Sequence, residues 1–240
     1  MTGSLYVVAT PIGNLEDITL RALKVLKDVD AIICETPAVT KKLLAHFDIH
    51  KPLMTWRQRS HDAGVFVSEL KGGKHLAYLS DAGTPLVADP GGTLVENVAR
   101  AVPEAHIIPI PGPSAILAAL SIAGFPADRF CFLGFPPSKK GRRAYFADIA
   151  RKECTAVFFE GPHRIVRSLR ELTQALTTET RSVVVCRELT KIYESIYRGN
   201  VAEVIERVTA DPVKGEYTIV VAPSRVNQAD KLASLTCLLA

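Results

Sequence analysis

The sequence predicts an α/β protein built from two domains. Short apolar runs typical of buried strands alternate along the chain with segments whose apolar residues recur at helical spacing. The segment 111–115, rich in Pro and Gly, interrupts this alternation near the middle and is typical of a hinge. We therefore expect an N-terminal α/β domain at 1–111, a C-terminal α/β domain at 112–226 and a short tail at 227–240. One long sheet is the alternative.

The first half contains four predicted strands and three predicted helices. The strands are the apolar runs 5–9, 31–34, 76–79 and 107–110. The helices are 18–29, 39–47 and 93–102. Asn14 is expected to cap the first helix, with Asp17 as the third residue after the cap. We expect the segment 53–61, which contains Arg57 and Arg59, to be a loop.

The same alternation resumes in the second half. The predicted strands are 130–135, 155–159, 182–186 and 216–222. The predicted helices are 114–123, a helix ending near residue 152, 165–176 and 201–209. The first of these helices is apolar around most of its circumference, so we expect it to be buried on most sides.

Composition and charge narrow the class of protein. Apolar residues make up 48% of the chain and charged residues 22%, as in folded proteins. No apolar run is long enough to cross a bilayer, and the N-terminus has no basic segment of a secretory signal. The five cysteines are scattered without metal-binding spacing, which argues against a disulfide framework and a zinc site. We expect a cytoplasmic protein without a metal.

The charge is unevenly distributed between the two halves. Residues 1–110 carry 11 Lys and Arg against 12 Asp and Glu, whereas residues 111–240 carry 18 against 13. The basic second half suggests a polyanionic partner, with ordinary solvated surface charge as the alternative.

Five predicted strands end in polar loops. These loops are 10–14 (TPIGN), 80–85 (SDAGTP), 111–114 (PGPS), 160–164 (EGPHR) and 187–191 (RELTK). If all of them face one cleft between the domains, backbone amides, hydroxyls and charges would line a site for a small polar ligand with an apolar part. The chain has no G-x-G-x-x-G, P-loop or G-x-S-x-G motif, which excludes the usual dinucleotide, nucleotide and hydrolase fingerprints.

Several segments resemble the tetrapyrrole-methylase-type (class III) S-adenosylmethionine-dependent methyltransferases. They include LYVVATPIGNLEDITLRAL, YLSDAGTPLVADPG, PIPGPSAILAAL, EGPHRI, RELTK and KGEYTIVV, in order from Leu5 to about Val221. Within that superfamily they are similar to the bacterial ribosomal RNA small-subunit methyltransferase I family, whose members methylate a cytidine 2′-hydroxyl of 16S rRNA. The resemblance implies S-adenosylmethionine bound in a cleft between two domains, a homodimer, and the small ribosomal subunit as partner.

The resemblance also implies the residues that bind the cofactor. They lie in the loop turns and at nearby strand positions: Pro11, Ile12, Gly13, Ser80, Asp81, Gly83, Thr84, Val87, Ser114, Ala115, Phe159, Leu189 and Thr218. Methyl transfer to a ribose hydroxyl needs alignment and a base that accepts the hydroxyl proton. The candidate bases are Glu160, Glu35 and, if burial lowers its pKa, Lys191; a structural ion pair is the alternative for each.

Basic residues of the second half are the expected RNA contacts. They are Lys139, Lys140, Arg142 and Arg143, followed by His163 and Arg164, with Arg167 and Arg170 further along the next helix. Cations of this kind bind phosphates and position RNA without reading its sequence.

Two segments depart from the family pattern. Glu35-Thr36-Pro37-Ala38 stands where relatives usually read Glu-Asp-Thr-Arg, and Trp56-Arg57-Gln58-Arg59-Ser60 replaces a Tyr-His-Glu-His-Asn-like run. In relatives these segments face the substrate. The chain also ends soon after the last strand, where many relatives add a helical segment. Two further hypotheses therefore stay open: a methyltransferase for another RNA or a tetrapyrrole-like molecule, and a cofactor-binding protein that has lost catalysis.

Overall fold

The computed structural model describes residues 2–56, 63–89, 91–176 and 181–224. The described residues form two compact units, the first ending at Ser114 and the second beginning at Ala115. Each unit contains one five-stranded sheet with helices packed against it. The predicted α/β class is therefore confirmed.

The first unit is a parallel sheet covered on both faces. Its elements are β1 (Ser4–Val8), α1 (Leu20–Asp28), β2 (Ala31–Cys34), α2 (Pro37–His46), β3 (Leu53–Thr55), α3 (Gly64–Lys71), β4 (Leu76–Leu79), α4 (Gly92–Ala101) and β5 (His106–Ile110). The strand order is β3-β2-β4-β1-β5, and all neighbours are parallel. Alternate residues of β4 enter two separate cores, Leu79 beside α1 and α2 and Leu76 beside α3 and α4. Burial on both faces explains why these strands read as continuous apolar runs.

The second unit has a mixed sheet. Its elements are α5 (Ala115–Ala123), β6 (Phe130–Phe132), α6 (Arg142–Arg151), β7 (Thr155–Glu160), α7 (Ile165–Ala175), β8 (Ser182–Arg187), β9 (Ser195–Asn200), α8 (Val201–Ala210) and β10 (Tyr217–Val221). The strand order is β6-β7-β10-β8-β9, in which only β6 and β7 are parallel neighbours. Helices α6, α7 and α8 share one core with the sheet, whereas α5 packs against β8 and β10.

The structure corrects several expected elements. Strand β3 begins the segment that we expected to be a loop, and α3 and β9 were not predicted. Asn14 caps a short 3-10 turn (Leu15–Asp17), and Thr19 caps α1 through a hydrogen bond from the Ala22 amide. Helix α5 is buried on one side only, because Leu117 is 57% exposed.

Candidate functional site

Loops that follow β1, β4 and β5 meet at the carboxyl edge of the first sheet. Thr10 and Gly83 exchange two backbone hydrogen bonds of 2.9 and 3.1 Å. The Thr84 hydroxyl donates to the Pro113 carbonyl at 2.9 Å. Since parallel strands end at the same edge, the structure brings three of the predicted loops together within this unit.

Glycine is required at the centre of this arrangement. Gly83 has a φ of +78°, and a Cβ there would lie 3.3 Å from Cγ2 of Ile12. A side chain would therefore strain the backbone and crowd the neighbouring loop. The turn leaves Pro11 and Ser80 buried, Ile12 half-buried, and Gly13, Asp81, Thr84 and Val87 exposed.

An acidic cluster lies beside these loops, formed by Glu35, Asp81, Asp89 and the Tyr78 hydroxyl. Tyr78 is fully buried and donates to Oε1 of Glu35 at 3.1 Å. Burial, followed by the charge of Asp89, raises the pKa of Glu35 to about 7, although the Tyr78 hydrogen bond opposes this. Burial also raises the pKa of Asp89. Glu35 can therefore exchange a proton near neutral pH, as a general base must.

Asp81 and Asp89 hold neighbouring segments in place. The Thr36 amide and hydroxyl both donate to the Asp81 carboxylate, at 3.2 and 2.7 Å. Asp89 accepts from the amides of Leu86 and Gly91, at 2.7 and 2.9 Å. The loop that Asp89 closes contains left-handed residues other than glycine, since φ is 73° at Leu86 and 66° at Ala88. Backbone strain of this kind is common in loops that bind ligands.

A second group of predicted residues lies at one edge of the second sheet. Strands β7 and β8 both run antiparallel to β10, so Glu160 and Arg187 are both paired with Tyr217. Thr218, one residue further in, pairs with Phe159. The next loop holds buried Leu189.

Thr190, beside Leu189, has a φ of 67° and a buried hydroxyl oxygen without a hydrogen-bond partner among the described residues. A buried polar atom of this kind is a natural contact for a bound ligand.

Glu160, a predicted base, is the centre of a buried network. It is 1% exposed and accepts from the Gly161 amide and the Ser168 hydroxyl, at 2.8 and 2.5 Å. Its other contacts are with Arg164, 2.8 Å from Oε1, and Arg142, 4.0 Å from Oε2. This geometry favours the structural ion-pair alternative for Glu160.

The prediction that Lys191 can act as a base is wrong. Its Nζ lies 2.8 Å from both the Glu188 and the Glu216 carboxylates. Burial alone would lower the pKa of Lys191, but hydrogen bonds to the two carboxylates outweigh it and raise the pKa. The ammonium therefore stays protonated and cannot accept a proton at neutral pH.

The prediction that Arg142 contacts RNA is wrong, because its side chain is buried. It is 3% exposed and donates to Glu171, Ser168 and the Pro137 carbonyl. The other predicted RNA contacts differ from it: Lys139, Lys140, Arg143 and His163 are exposed, and Arg164 is half-buried. Arg167 is exposed but paired with Glu171 at 2.9 Å.

Of the two segments that depart from the family pattern, the structure describes 35–38 and Trp56. Trp56 is 1% exposed and packs edge to face with Phe66, so it belongs to the core. The rest of that segment, including Arg57 and Arg59, lies outside the described residues, as does the predicted tail 227–240. In the described part of the chain, no three His, Cys, Asp or Glu side chains are placed to share a metal ion. No helix there has both the length and the apolarity to cross a membrane.

Four residues of these sites were not among the predicted ones: Tyr78, Asp89, Thr190 and Ser168. The local sequence does indicate a role for Asp89, because the side chain of an Asp before Pro and Gly commonly hydrogen-bonds to the neighbouring backbone. Tyr78 stood inside a correctly predicted strand, but nothing local indicates that its hydroxyl faces Glu35.

Comparison with known proteins gives consistent matches over most of the chain. Residues 4–205 match the family described as Tetrapyrrole (Corrin/Porphyrin) Methylases. A ribosomal RNA small subunit methyltransferase I from Thermotoga maritima is 40% identical over 92% of this chain and 98% of its own length. The corresponding protein of Escherichia coli O157:H7 is 42% identical over 95% of this chain and 80% of its own length.

Solved structures share the fold at lower identity. Cobalt precorrin-4 methyltransferase, a cobalamin biosynthetic enzyme, is 19% identical with a TM-score of 0.64, covering 91% of this chain and 94% of its own. The methyltransferase CobJ is 20% identical with a TM-score of 0.65, covering 93% and 95%.

Proposed function

Because the chain belongs to the tetrapyrrole (corrin/porphyrin) methylase family, we propose that it transfers a methyl group from S-adenosylmethionine to the 2′-hydroxyl of a cytidine in 16S rRNA. Methyltransferase activity is what the family and the names of the similar proteins support. The observation that carries the proposal is the 40% identity to a ribosomal RNA small subunit methyltransferase I over 92% of the chain.

The predicted cofactor residues fit S-adenosylmethionine chemically. In the first unit, Gly83 leaves space beside Ile12, and the exposed Val87 offers apolar surface next to polar turns. In the second unit, the Thr190 hydroxyl, which has no hydrogen-bond partner among the described residues, lies next to Leu189. A nucleoside joined to a charged amino acid needs apolar and polar contacts of these kinds. When bound, S-adenosylmethionine supplies a methyl group on a positively charged sulfur.

Glu35 is the base that we propose for the ribose hydroxyl. Its pKa of about 7 places its proton exchange near neutral pH, where a general base works best. Glu160 and Lys191 are less suitable, since the first is buried in ion pairs and the second stays protonated. Exposed Lys139, Lys140, Arg143 and His163 would hold RNA phosphates. The homodimer stays a prediction, to be measured by light scattering.

Methyl transfer to small ribosomal subunits that lack the modification tests the proposal. With tritiated S-adenosylmethionine, we expect label in 16S rRNA that is recovered as 2′-O-methylcytidine after digestion. Label in a base or another RNA would favour the different-acceptor hypothesis. Binding of the cofactor in calorimetry without any transfer would favour a protein that has lost catalysis. Absence of cofactor binding would contradict all three.

A further inference from the structure

The loop 136–141, between β6 and α6, is fastened at its base by two arginines. Arg142 donates from Nη1 to the Pro137 carbonyl at 2.8 Å. Arg164 donates to the neighbouring Pro136 carbonyl at 3.3 Å. Arg142 is the first residue of α6 and Arg164 directly precedes α7, so the two arginines hold the loop from two different helices.

A buried network holds both arginines in turn. Glu160 lies 2.8 Å from Arg164 and 4.0 Å from Arg142. The Ser168 hydroxyl donates to Glu160 and accepts from Nη2 of Arg142, at 2.5 and 2.7 Å. Glu171 accepts from Nε of Arg142 at 2.7 Å. A buried network with its charges paired in this way is rigid, because any rearrangement leaves a charge without a partner.

The cations of this loop and of the first turn of α6 have no such partners among the described residues. Lys139, Lys140 and Arg143 are exposed, and among the described residues no carboxylate pairs with them. Gly141, with a φ of +89°, makes the tight turn that leads into α6. The loop and the first turn of α6 therefore present three positive charges on a fixed base, and no carboxylate among the described residues pairs with them.

We propose that Arg142 is a positioning residue, which holds the loop 136–141 so that Lys139, Lys140 and Arg143 form a preformed surface for the phosphates of RNA. This inference rests on the proposed function. Arg142 itself is too deeply buried to touch the RNA. Its contribution is preorganisation, since a fixed loop avoids the entropy loss of ordering the same cations during binding.

Salt dependence separates a positioning residue from a contact residue. Affinity for 16S rRNA is measured over a range of KCl concentrations for the wild type, for Arg142→Lys, and for the combined variant Lys139→Ala, Lys140→Ala, Arg143→Ala. The combined variant should reduce the slope of log affinity against log salt by about 2 to 3, because each lost phosphate contact removes about 0.7 to 0.9. Arg142→Lys keeps the charge but loses the planar fork. It should lower affinity several-fold at every salt concentration with an unchanged slope.

Two outcomes would overturn the inference: a slope reduced by Arg142→Lys, or an affinity unchanged by it. Ser168→Ala is a milder second variant for the case in which Arg142→Lys does not fold. It removes the acceptor of Arg142 Nη2 without changing any charge, and it should act in the same direction. Trypsin cleavage after Lys139 and Lys140 in the free protein tests the positioning without RNA. Cleavage should be faster in Arg142→Lys and in the second variant than in the wild type. If the wild type binds no RNA but is cleaved by trypsin more slowly than these variants, the proposed function is refuted and the positioning role of Arg142 is not.

Discussion

The hydroxyl of Tyr78 donates a 3.1 Å hydrogen bond to Oε1 of Glu35, joining the end of β2 to the buried strand beside it. This contact opposes the burial that raises the pKa of Glu35. The proton affinity of Glu35 is therefore set by a balance in which burial and the charges of Asp89 and Asp81 raise it and the Tyr78 hydroxyl lowers it.

Glu35→Gln should make stability less dependent on pH. Burial raises the pKa of Glu35 in the folded protein from its ordinary value of 4.5 to about 7. The folded state binds this proton more tightly, so the stabilisation is complete below pH 4.5 and is lost as the pH rises through 7. We expect Glu35→Gln to be more stable than the wild type by about 1 kcal/mol at pH 8, after allowance for solvent screening, and to lose that advantage in acid. Urea unfolding at several pH values measures the difference; an equal difference at all of them would contradict the assignment.

Tyr78→Phe should move the pH profile of methyl transfer. Without the donor, the pKa of Glu35 rises further, so the ascending limb of the rate should shift to higher pH by up to about one unit. Tyr145→Phe is a matched control, because the Tyr145 hydroxyl is also buried but has no partner among the described residues. That control should leave the profile unchanged. A profile that Tyr78→Phe does not move would remove Glu35 from the role of base.

Gly83→Ala should weaken cofactor binding as well as stability. The positive φ alone costs roughly 1 kcal/mol for alanine, and the added Cβ would also press on Ile12 at 3.3 Å. Gly124→Ala is the control for strain alone, because Gly124 has a φ of +73° and open space around it. Calorimetry should show weaker S-adenosylmethionine binding only for Gly83→Ala. Equal affinities in the two variants would count against the role of the loop.

Glu160→Ala should destabilise the protein far more than a surface ion-pair mutation does. Removing this carboxylate leaves Arg142 and Arg164 without their common partner, which typically costs about 3–5 kcal/mol for a buried pair. Glu96→Ala, which breaks an exposed i,i+4 pair with Arg100, is the control and should cost less than about 1 kcal/mol. Denaturant unfolding compares the two. A small effect at Glu160 would mean that water or other groups reach the buried arginines.

The elements predicted correctly from the sequence are those with a strong local pattern of apolar residues. The strands 31–34 and 76–79 are apolar on both faces, and the structure places them as β2 and β4. Strand β3 was not predicted because it has three residues, none of them buried, and among the described strands it pairs only with β2. Strand β9 escaped for a similar reason, since Tyr197 is its only buried residue.

The candidate site was less predictable because its chemistry depends on distant partners. Arg142 and Arg143 are adjacent and chemically identical, yet one turns toward Ser168 and the other toward solvent. The sequence of basic residues alone does not distinguish the two arginines, because their different environments arise from how α6 packs against α7. In the same way, the proton affinity of Glu35 depends on Tyr78 and Asp89, which only the fold brings near it.

Strand β1 lies between β4 and β5, with Ser4 aligned to His106 at one end. As the chain leaves the ribosome, its first strand therefore has no neighbour until residues 76–79 appear, and its second side stays open until 106–110 follow. Strands β2 and β3 can pair much earlier. Strand β1 must thus wait for roughly 70 residues of synthesis before its first neighbour exists and about 100 before both are present, a period of several seconds at about 5–20 residues per second. Chaperones that bind apolar segments have that interval in which to act.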